Sequence, residues 1–325
     1  MKVYFFVGKG GVGKTTSAAA FSMLLASRGL RTLIVSLDPA HNLGDVFGIP
    51  LGEKPKQIVE NLWGIEVDFD RAVQQHLKNL CDRIKDAYAY LRVLNLDRYI
   101  DTLRHAPGVE EYAALEKVVE FIKRSKDIDA LVFDTPPTGL TVRMLALPFV
   151  NEVWLEKLLE LRRAILERRK AIAKILKQEL VAEIGGEKVK LPTEEEEDPV
   201  SKELRKMLNE TREVINVLRN PSVTSIGLIL NPETLPVLEA KRALETFRKL
   251  GLPTKFVIVN KVLRLSGSTP PELEARLEEQ RKALEMIENE FRGLRIVYVP
   301  LLAREPRGID ALKEYAKHIE DLLEV

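Results

Sequence analysis

Gly8-Lys9-Gly10-Gly11-Val12-Gly13-Lys14-Thr15 follows the run Val3-Tyr4-Phe5-Phe6-Val7 and precedes an alanine- and leucine-rich stretch from Thr16 to Ser27. The octapeptide fits G-x-x-x-x-G-K-[ST], and its flanks supply the order that pattern needs. The β-branched and aromatic run predicts a buried strand, and the stretch after the loop predicts a helix. Glycines let the backbone curl until several N–H groups and the helix N-terminus converge on one anion. Gly10, Gly11, Val12 and Gly13 are the candidate cradle, with Thr16 beside it. Lys14 can reach the outer phosphates of a nucleotide, and Thr15 can offer its hydroxyl to Mg²⁺. A glycine-rich turn of purely structural use has no need of Lys and Thr in that register.

Two further hydrophobic runs end on an acid. Thr32-Leu33-Ile34-Val35-Ser36-Leu37 leads into Asp38-Pro39-Ala40-His41-Asn42, and Asp129-Ala130-Leu131-Val132-Phe133-Asp134 leads into Thr135-Pro136-Pro137-Thr138-Gly139. Ligands of doubly wound sheets bind at the carboxyl ends of strands. Asp38 is therefore the candidate for orienting or deprotonating an attacking water, and Asp134 for holding Mg²⁺ through its water shell. An Asp-Pro at a strand end is otherwise an ordinary turn. His41 fits a structural or interface role better than that of a base. Three phosphate-site elements, each following a strand, point to a Mg²⁺-dependent nucleoside triphosphatase.

The 325 residues allow one large domain or two ordinary ones. Fifty basic residues against 49 acidic ones leave a formal charge of +1, which gives no global reason to expect a nucleic acid partner. No apolar run approaches the roughly 18 residues of a membrane span, and the chain enters a strand without a signal-like start. A cytoplasmic protein without stable membrane insertion is expected. The single Cys81 excludes an internal disulfide and a multi-cysteine metal site, so no zinc is expected.

From Pro50 to Lys126 the pattern is mostly helical, interrupted by a strand over Leu62-Trp63-Gly64-Ile65-Glu66-Val67. Val73, Leu77, Leu80 and Ile84, then Leu115, Val118, Val119 and Ile122, recur at helical spacing and are expected to pack against the sheet. Residues 146–220 form a charged, leucine-rich insertion. Val153, Trp154, Leu158, Leu161, Ile165, Leu166, Ile172, Ile175, Leu176 and Leu180 place a broad apolar stripe on one or two long helices. Gly185-Gly186 and the acidic run Glu194 to Asp198 mark a polar connector expected to lack fixed structure, before a helix from Ser201 to Leu218. The insertion reads either as a helical layer buried within the domain or dimer, or as a groove for an apolar client. Thr224 to Leu230 and Thr254 to Asn260 resume the strands, with a helix between them opening near Glu239. Asn260, read alone, fits a helix cap as well as a ligand contact. A helix from Ile309 to Val325 closes the chain, with nearly balanced charge rather than the basic face of a membrane anchor.

Lys9, at a position the general motif leaves open, makes K-G-G-V-G-K-T-T resemble the deviant phosphate loop of the MinD/ParA/ArsA class of dimeric ATPases. Read alone, Lys9 is either a phosphate contact or only a surface charge; the resemblance implies that it acts in trans on the partner's nucleotide. D-P-A-H-N-L and D-T-P-P-T-G-L-T-V-R are similar to the two switches of the arsenite-pump ATPases and of the guided-entry ATPases that deliver tail-anchored membrane proteins. The resemblance covers nearly the whole chain. It implies that Asp38 activates water and that Asn42 belongs to the nucleotide-sensing switch. By the same resemblance Asn260, in Val259-Asn260-Lys261, contacts adenine, Pro300 and Leu301 belong to the adenine loop, and Glu239 lies near the nucleotide across the dimer. The insertion takes the place of the family's client-binding subdomain, although it holds only Met207 where that subdomain is often methionine-rich. The C-x-x-C of many guided-entry members is absent, as in an archaeal-like member.

The expected architecture is thus an α/β, doubly wound, mostly parallel sheet of the P-loop NTPase type, with residues 1–325 forming one ATPase domain around the helical insertion. The expected function is an ATP-hydrolysing homodimeric targeting factor or chaperone for hydrophobic segments such as tail anchors, with a membrane receptor as a further partner. An ATPase driving an arsenite efflux pump is the first alternative, weakened because a soft metalloid wants several thiolates. A MinD/ParA-like switch acting on a membrane or partner is the second.

Overall fold

Val3 to Val7 are fully or almost fully buried because the strand they form is covered on both faces, as the unbroken apolar run requires. The computed structural model describes residues 1–39, 42–87, 103–104, 106–125, 127–184, 187–264 and 271–324. His41 and Gly185-Gly186, singled out above, lie outside the described residues. The chain divides into two compact units, one of residues 1–69, 117–145 and 217–325, the other of residues 70–116 and 146–216.

The first unit is built on an eight-stranded sheet in the order β10-β9-β8-β1-β5-β2-β4-β3. Its strands are β1 (Lys2–Gly8), β2 (Thr32–Ser36), β3 (Lys56–Val59), β4 (Leu62–Glu66), β5 (Ala130–Asp134), β8 (Thr224–Leu230), β9 (Thr254–Val262) and β10 (Arg295–Pro300). Every pairing is parallel except that of β3 with β4. This is the doubly wound, mostly parallel arrangement expected. β1 lies between β5 and β8, so the loop that follows it emerges at the middle of the sheet's carboxyl edge, where such folds bind ligands.

On one face, helix α1 (Lys14–Ser27) lays Phe21 against Tyr4 and Phe6 of β1, with ring centroids 4.9 and 5.4 Å apart. Phe256 of β9 joins the cluster at 5.6 Å from Phe6. Gly227 on β8 makes room for it, because a Cβ there would sit 2.0 Å from the Phe256 ring. On the opposite face Phe5 stacks on Phe133 at 5.1 Å. Helices α2 (Leu43–Phe47), α7 (Thr234–Leu250), α8 (Pro271–Glu290) and α9 (Ile309–Lys317) also belong to this unit. Helix α7 starts five residues before Glu239, and the closing segment is not one helix: α9 ends at Lys317, and a 3₁₀ turn, Glu320–Glu324, follows.

The second unit contains α3 (Phe69–Ala87) from Asp70 onward, the first half of α4 (Val109–Arg124), most of α5 (Thr138–Leu176), the hairpin β6 (Val181–Ile184) with β7 (Glu187–Lys190), and most of α6 (Pro199–Arg219). Val73 and Leu77 are buried and belong to this unit. Leu155 and Leu159 of α5 pack on Leu208 of α6, with Leu204 and Met207 against them. Arg212 of α6 bridges Glu152 and Glu156 at 3.0 and 2.6 Å.

The acidic run does not lack structure. Asp198 is fully buried and takes a bidentate grip from Arg162, 2.9 Å from Nε and 2.7 Å from Nη2. It also caps α6, accepting from the Ser201 backbone N–H and hydroxyl at 2.8 and 2.7 Å. Burial alone would raise its pKa; the Arg162 and Ser201 hydrogen bonds outweigh that and hold it at about 2. Glu195 pairs with Arg163 and Arg205, and Glu194 with Lys170. Charge runs favour disorder only when nothing opposes them. Here the basic residues of α5 do.

Candidate active site

The loop after β1 enters α1 through Gly13, whose φ of +96° suits glycine, and a Cβ at this position would meet the Asn260 amide nitrogen at 2.3 Å. Helix α1 has no side-chain cap and no acidic residue in its first turn, which leaves its first N–H groups for an anion. Around this helix start lies a cavity of about 700 Å³. It is lined by Gly10, Gly11, Gly13, Lys14, Thr15 and Thr16, by Asp38 and Asn42 after β2, and by Asn260 of β9, Pro300 and Leu301. Sequence positions up to 291 apart thus meet around one space, because parallel strands deliver all their carboxyl ends to the same edge.

Lys14 is 5% exposed, and its ammonium lies 3.8 Å from Asp38 Oδ2. Thr15 donates to Asp134 Oδ2 at 2.9 Å, and Ser36 donates to the same oxygen at 3.2 Å. Asp134 Oδ1 is buried with no hydrogen-bond partner among the described residues. Burial pushes the Asp134 pKa up to about 6, with the nearby Asp38 adding to the rise, while Lys14, Thr15 and Ser36 oppose it. A hydroxyl beside a carboxylate with a spare, desolvated oxygen is a hard-oxygen donor set suited to Mg²⁺. That ion binds through one or two protein groups and completes its shell with water and phosphate. Among the described residues no group of three or more His, Cys, Asp or Glu is placed to hold a metal by itself.

Asn260 donates from Nδ2 to the Val12 carbonyl at 2.8 Å, so its carboxamide is tied to the phosphate loop from behind. Val12 is buried and contributes to the site by backbone alone. Lys9 is exposed and does not line its own chain's cavity, and Glu239 is half-buried in α7, also off the lining. Several lining or supporting residues have no role of their own in the sequence reading: Ser36, Asp45, Lys261, Arg304, Arg307 and Tyr315. Ser36 had no signal in the sequence, because it meets Asp134 only through the parallel register of β2 and β5. Tyr315 had none either. Its hydroxyl reaches Ser17 of α1 at 2.8 Å from a helix almost 300 residues later.

A family profile described as anion-transporting ATPase matches residues 1–321. The chain belongs to the anion-transporting ATPase family. Members similar to it include a protein of Aquifex aeolicus (strain VF5), provisionally named arsenical pump-driving ATPase 2, which is 31% identical over 98% of this chain and 99% of its own length. ATPase GET3C of Arabidopsis thaliana is 31% identical over 96% of this chain and 80% of its own length. The ATPase ASNA1 homolog of Entamoeba dispar is 28% identical over 98% and 94%. As a member of the anion-transporting ATPase family, the protein is an ATPase, and membership implies a nucleotide and its usual Mg²⁺. Among the described residues no helix is long and apolar enough to cross a membrane.

Proposed function

We propose that this ATPase is a cytoplasmic targeting factor that carries hydrophobic segments, such as tail anchors, between two copies of the chain and hands them to a membrane receptor. The observation that carries the reading is an exposed apolar row on α5. At about 100° per residue, Val150, Trp154, Leu158, Leu161, Ile172 and Leu176 fall within an arc of about 80°. Leu155, Leu159 and Leu166 lie about 120° around the same helix. The second set is 3–6% exposed, whereas Trp154 is 65% and Leu161 59% exposed. One helix thus has a face committed to packing and a separate apolar face open to solvent. From Val150 to Leu176 the row extends roughly 39 Å, enough for an apolar helix of about 20 residues. The similar proteins from Arabidopsis and Entamoeba are themselves named as ATPases; it is the exposed face of α5 that supports the client-carrying reading here.

In the ATPase site, loop N–H groups and Lys14 would hold the triphosphate, and Thr15, with Asp134 through the water shell, would hold Mg²⁺, whose charge would neutralise that on the transferring phosphoryl group. Asp38 orients the attacking water and takes its proton, and Asn42 senses the nucleotide from the neighbouring switch. Asn260, Pro300 and Leu301 form the base end, while Lys9 and Glu239 serve the partner's nucleotide. Since Lys14 sits 3.8 Å from Asp38, phosphates that recruit Lys14 would draw its ammonium away from the Asp38 carboxylate. Purified protein with an apolar-tailed peptide, with and without ATP, tests the whole reading. Capture that depends on ATP supports it, and no capture in either state removes it. A pump-driving role is the competing reading. Cys81 is a lone thiol, 3% exposed in α3, which argues against arsenite as a regulator. Arsenite is expected to leave turnover unchanged, and a stimulation abolished by Cys81→Ser would reverse that choice.

A further inference from the structure

The end of β9 grips the phosphate loop twice. Asn260 donates to the Val12 carbonyl at 2.8 Å, and Lys261 Nζ donates to the Gly11 carbonyl at 2.7 Å. Successive side chains of a regular strand point to opposite faces. These two reach adjacent carbonyls of one loop because Lys261 adopts a φ of +61°, a left-handed conformation that is costly for a lysine. The Asn260 Oδ1 accepts from the Lys261 N–H at 3.0 Å and closes the turn. Backbone strain held at the rim of an active-site cavity calls for a use, and no role assigned above employs the Lys261 ammonium.

A phosphate loop works by turning N–H groups inward, which turns the carbonyls of the same peptides outward, where each needs a partner. The Gly11 carbonyl and the Val12 N–H belong to one peptide group. A cation on that oxygen fixes the peptide's orientation and polarises its N–H, since hydrogen bonds in series strengthen one another. We propose that Lys261 is a positioning residue for the triphosphate: its ammonium holds the Gly11–Val12 peptide with the carbonyl outward, and it acts through the loop, not on the base. The inference rests on the ATPase reading of this cavity.

The test compares Mg-ATP with tripolyphosphate, which offers phosphates and no base, by titration calorimetry on the full chain. Lys261→Met keeps the stem and the backbone cost while removing the ammonium. Dissociation constants for both ligands should rise together, by about 5- to 10-fold, below the usual loss for a charge-assisted bond because Lys261 is exposed. KM should rise in step while kcat holds, and Lys261→Arg, which restores a cation, should recover most of the loss. Weaker ATP binding with tripolyphosphate unaffected would assign Lys261 to the base and overturn the proposal. So would unchanged binding of both ligands, or a Lys261→Arg variant as impaired as Lys261→Met. A parent protein that binds neither ligand would instead sink the reading of the cavity as the ATPase site.

Discussion

Asp134, as the proposed Mg²⁺ residue, joins two demands that pull in opposite directions, since metal binding needs the carboxylate ionised and burial favours it protonated. Its pKa of about 6 stands above the ordinary carboxylate value, so the nucleotide-free protein takes up a proton as pH falls through 6. Folding therefore gains stability toward acid from this group, while Mg-ATP, which requires the ionised form, loses affinity. The expected slope is about tenfold in dissociation constant per pH unit below 6, flattening above 7. Calorimetry at pH 5, 6 and 7 reads it directly. Asp134→Asn should abolish the slope, bind Mg-ATP weakly throughout, and raise the melting temperature of the nucleotide-free protein, because a buried charge with an unpartnered oxygen has gone. A wild-type profile flat between pH 5 and 7 would contradict the linkage. Asp38→Asn should separate binding from chemistry: the amide keeps the shape but cannot accept the water's proton, so hydrolysis should fall by about 100-fold or more with ATP affinity nearly unchanged. Parental turnover in that variant would remove Asp38 from the role. Both acids were legible in the sequence because each ends an apolar run beside a diagnostic loop. Ser36 and Lys261 were not read from it: the function of one depends on strand register, and that of the other on a backbone kink.

At the scale of elements, the parallel strands were the most legible part, since burial on both faces writes itself as unbroken apolar runs. Thr224–Leu230 was read to the residue. Edge strand β3 and the hairpin β6–β7 escaped because short, charged segments such as Glu187–Lys190 carry no such run. The α5 stripe was seen as one surface and is two, because a sequence shows that a helix has apolar residues but not which neighbour takes each arc. That division gives a test. Trp154→Asp with Leu161→Asp changes only exposed positions and should shift stability little while abolishing peptide capture. Leu159→Asp places a charge against Leu208 and should cost several kcal/mol. A large drop in melting temperature for the first pair would show that the row is covered in solution; capture retained by a stable pair would move the client elsewhere. The Arg162–Asp198 clamp has its own pH signature. The Asp198 pKa of about 2 lies below its unfolded value, so its contribution is present above pH 4 and is lost as pH falls through 2. That contribution is about 2 kcal/mol. Asp198→Asn should destabilise the protein by about 3 kcal/mol at neutral pH, by breaking the bidentate ion pair with Arg162 and weakening the cap of α6. It should also flatten the acid limb of the stability profile between pH 4 and 2.

For the molecule as a whole, the chain carries one phosphate loop, with Lys9 exposed next to the cavity but not lining it. A lysine so placed adds nothing to its own nucleotide by direct contact. It gains a use only if a second copy brings another triphosphate to it, and the proposed homodimer supplies that geometry. Lys14 and Lys9 then separate in their effects. Lys14→Ala removes a buried cation from the chain's own site and should weaken nucleotide binding in the monomer by about 100-fold, given a low-dielectric contact with phosphate. Lys9→Ala should leave monomer affinity within about threefold, since an exposed charge at a distance is screened. The coupling of nucleotide to assembly is where its loss should show. Sedimentation velocity with a non-hydrolysable ATP analogue should move the parent protein toward a dimer and leave Lys9→Ala slower at the same concentration. Hydrolysis should fall with the dimer, not with site occupancy, so raising the protein concentration should restore part of the Lys9→Ala rate and none of the Asp38→Asn rate. A Lys9→Ala protein that sediments as the parent does, at every concentration, would return Lys9 to the surface and leave the charge that closes the dimer to be found elsewhere on the chain.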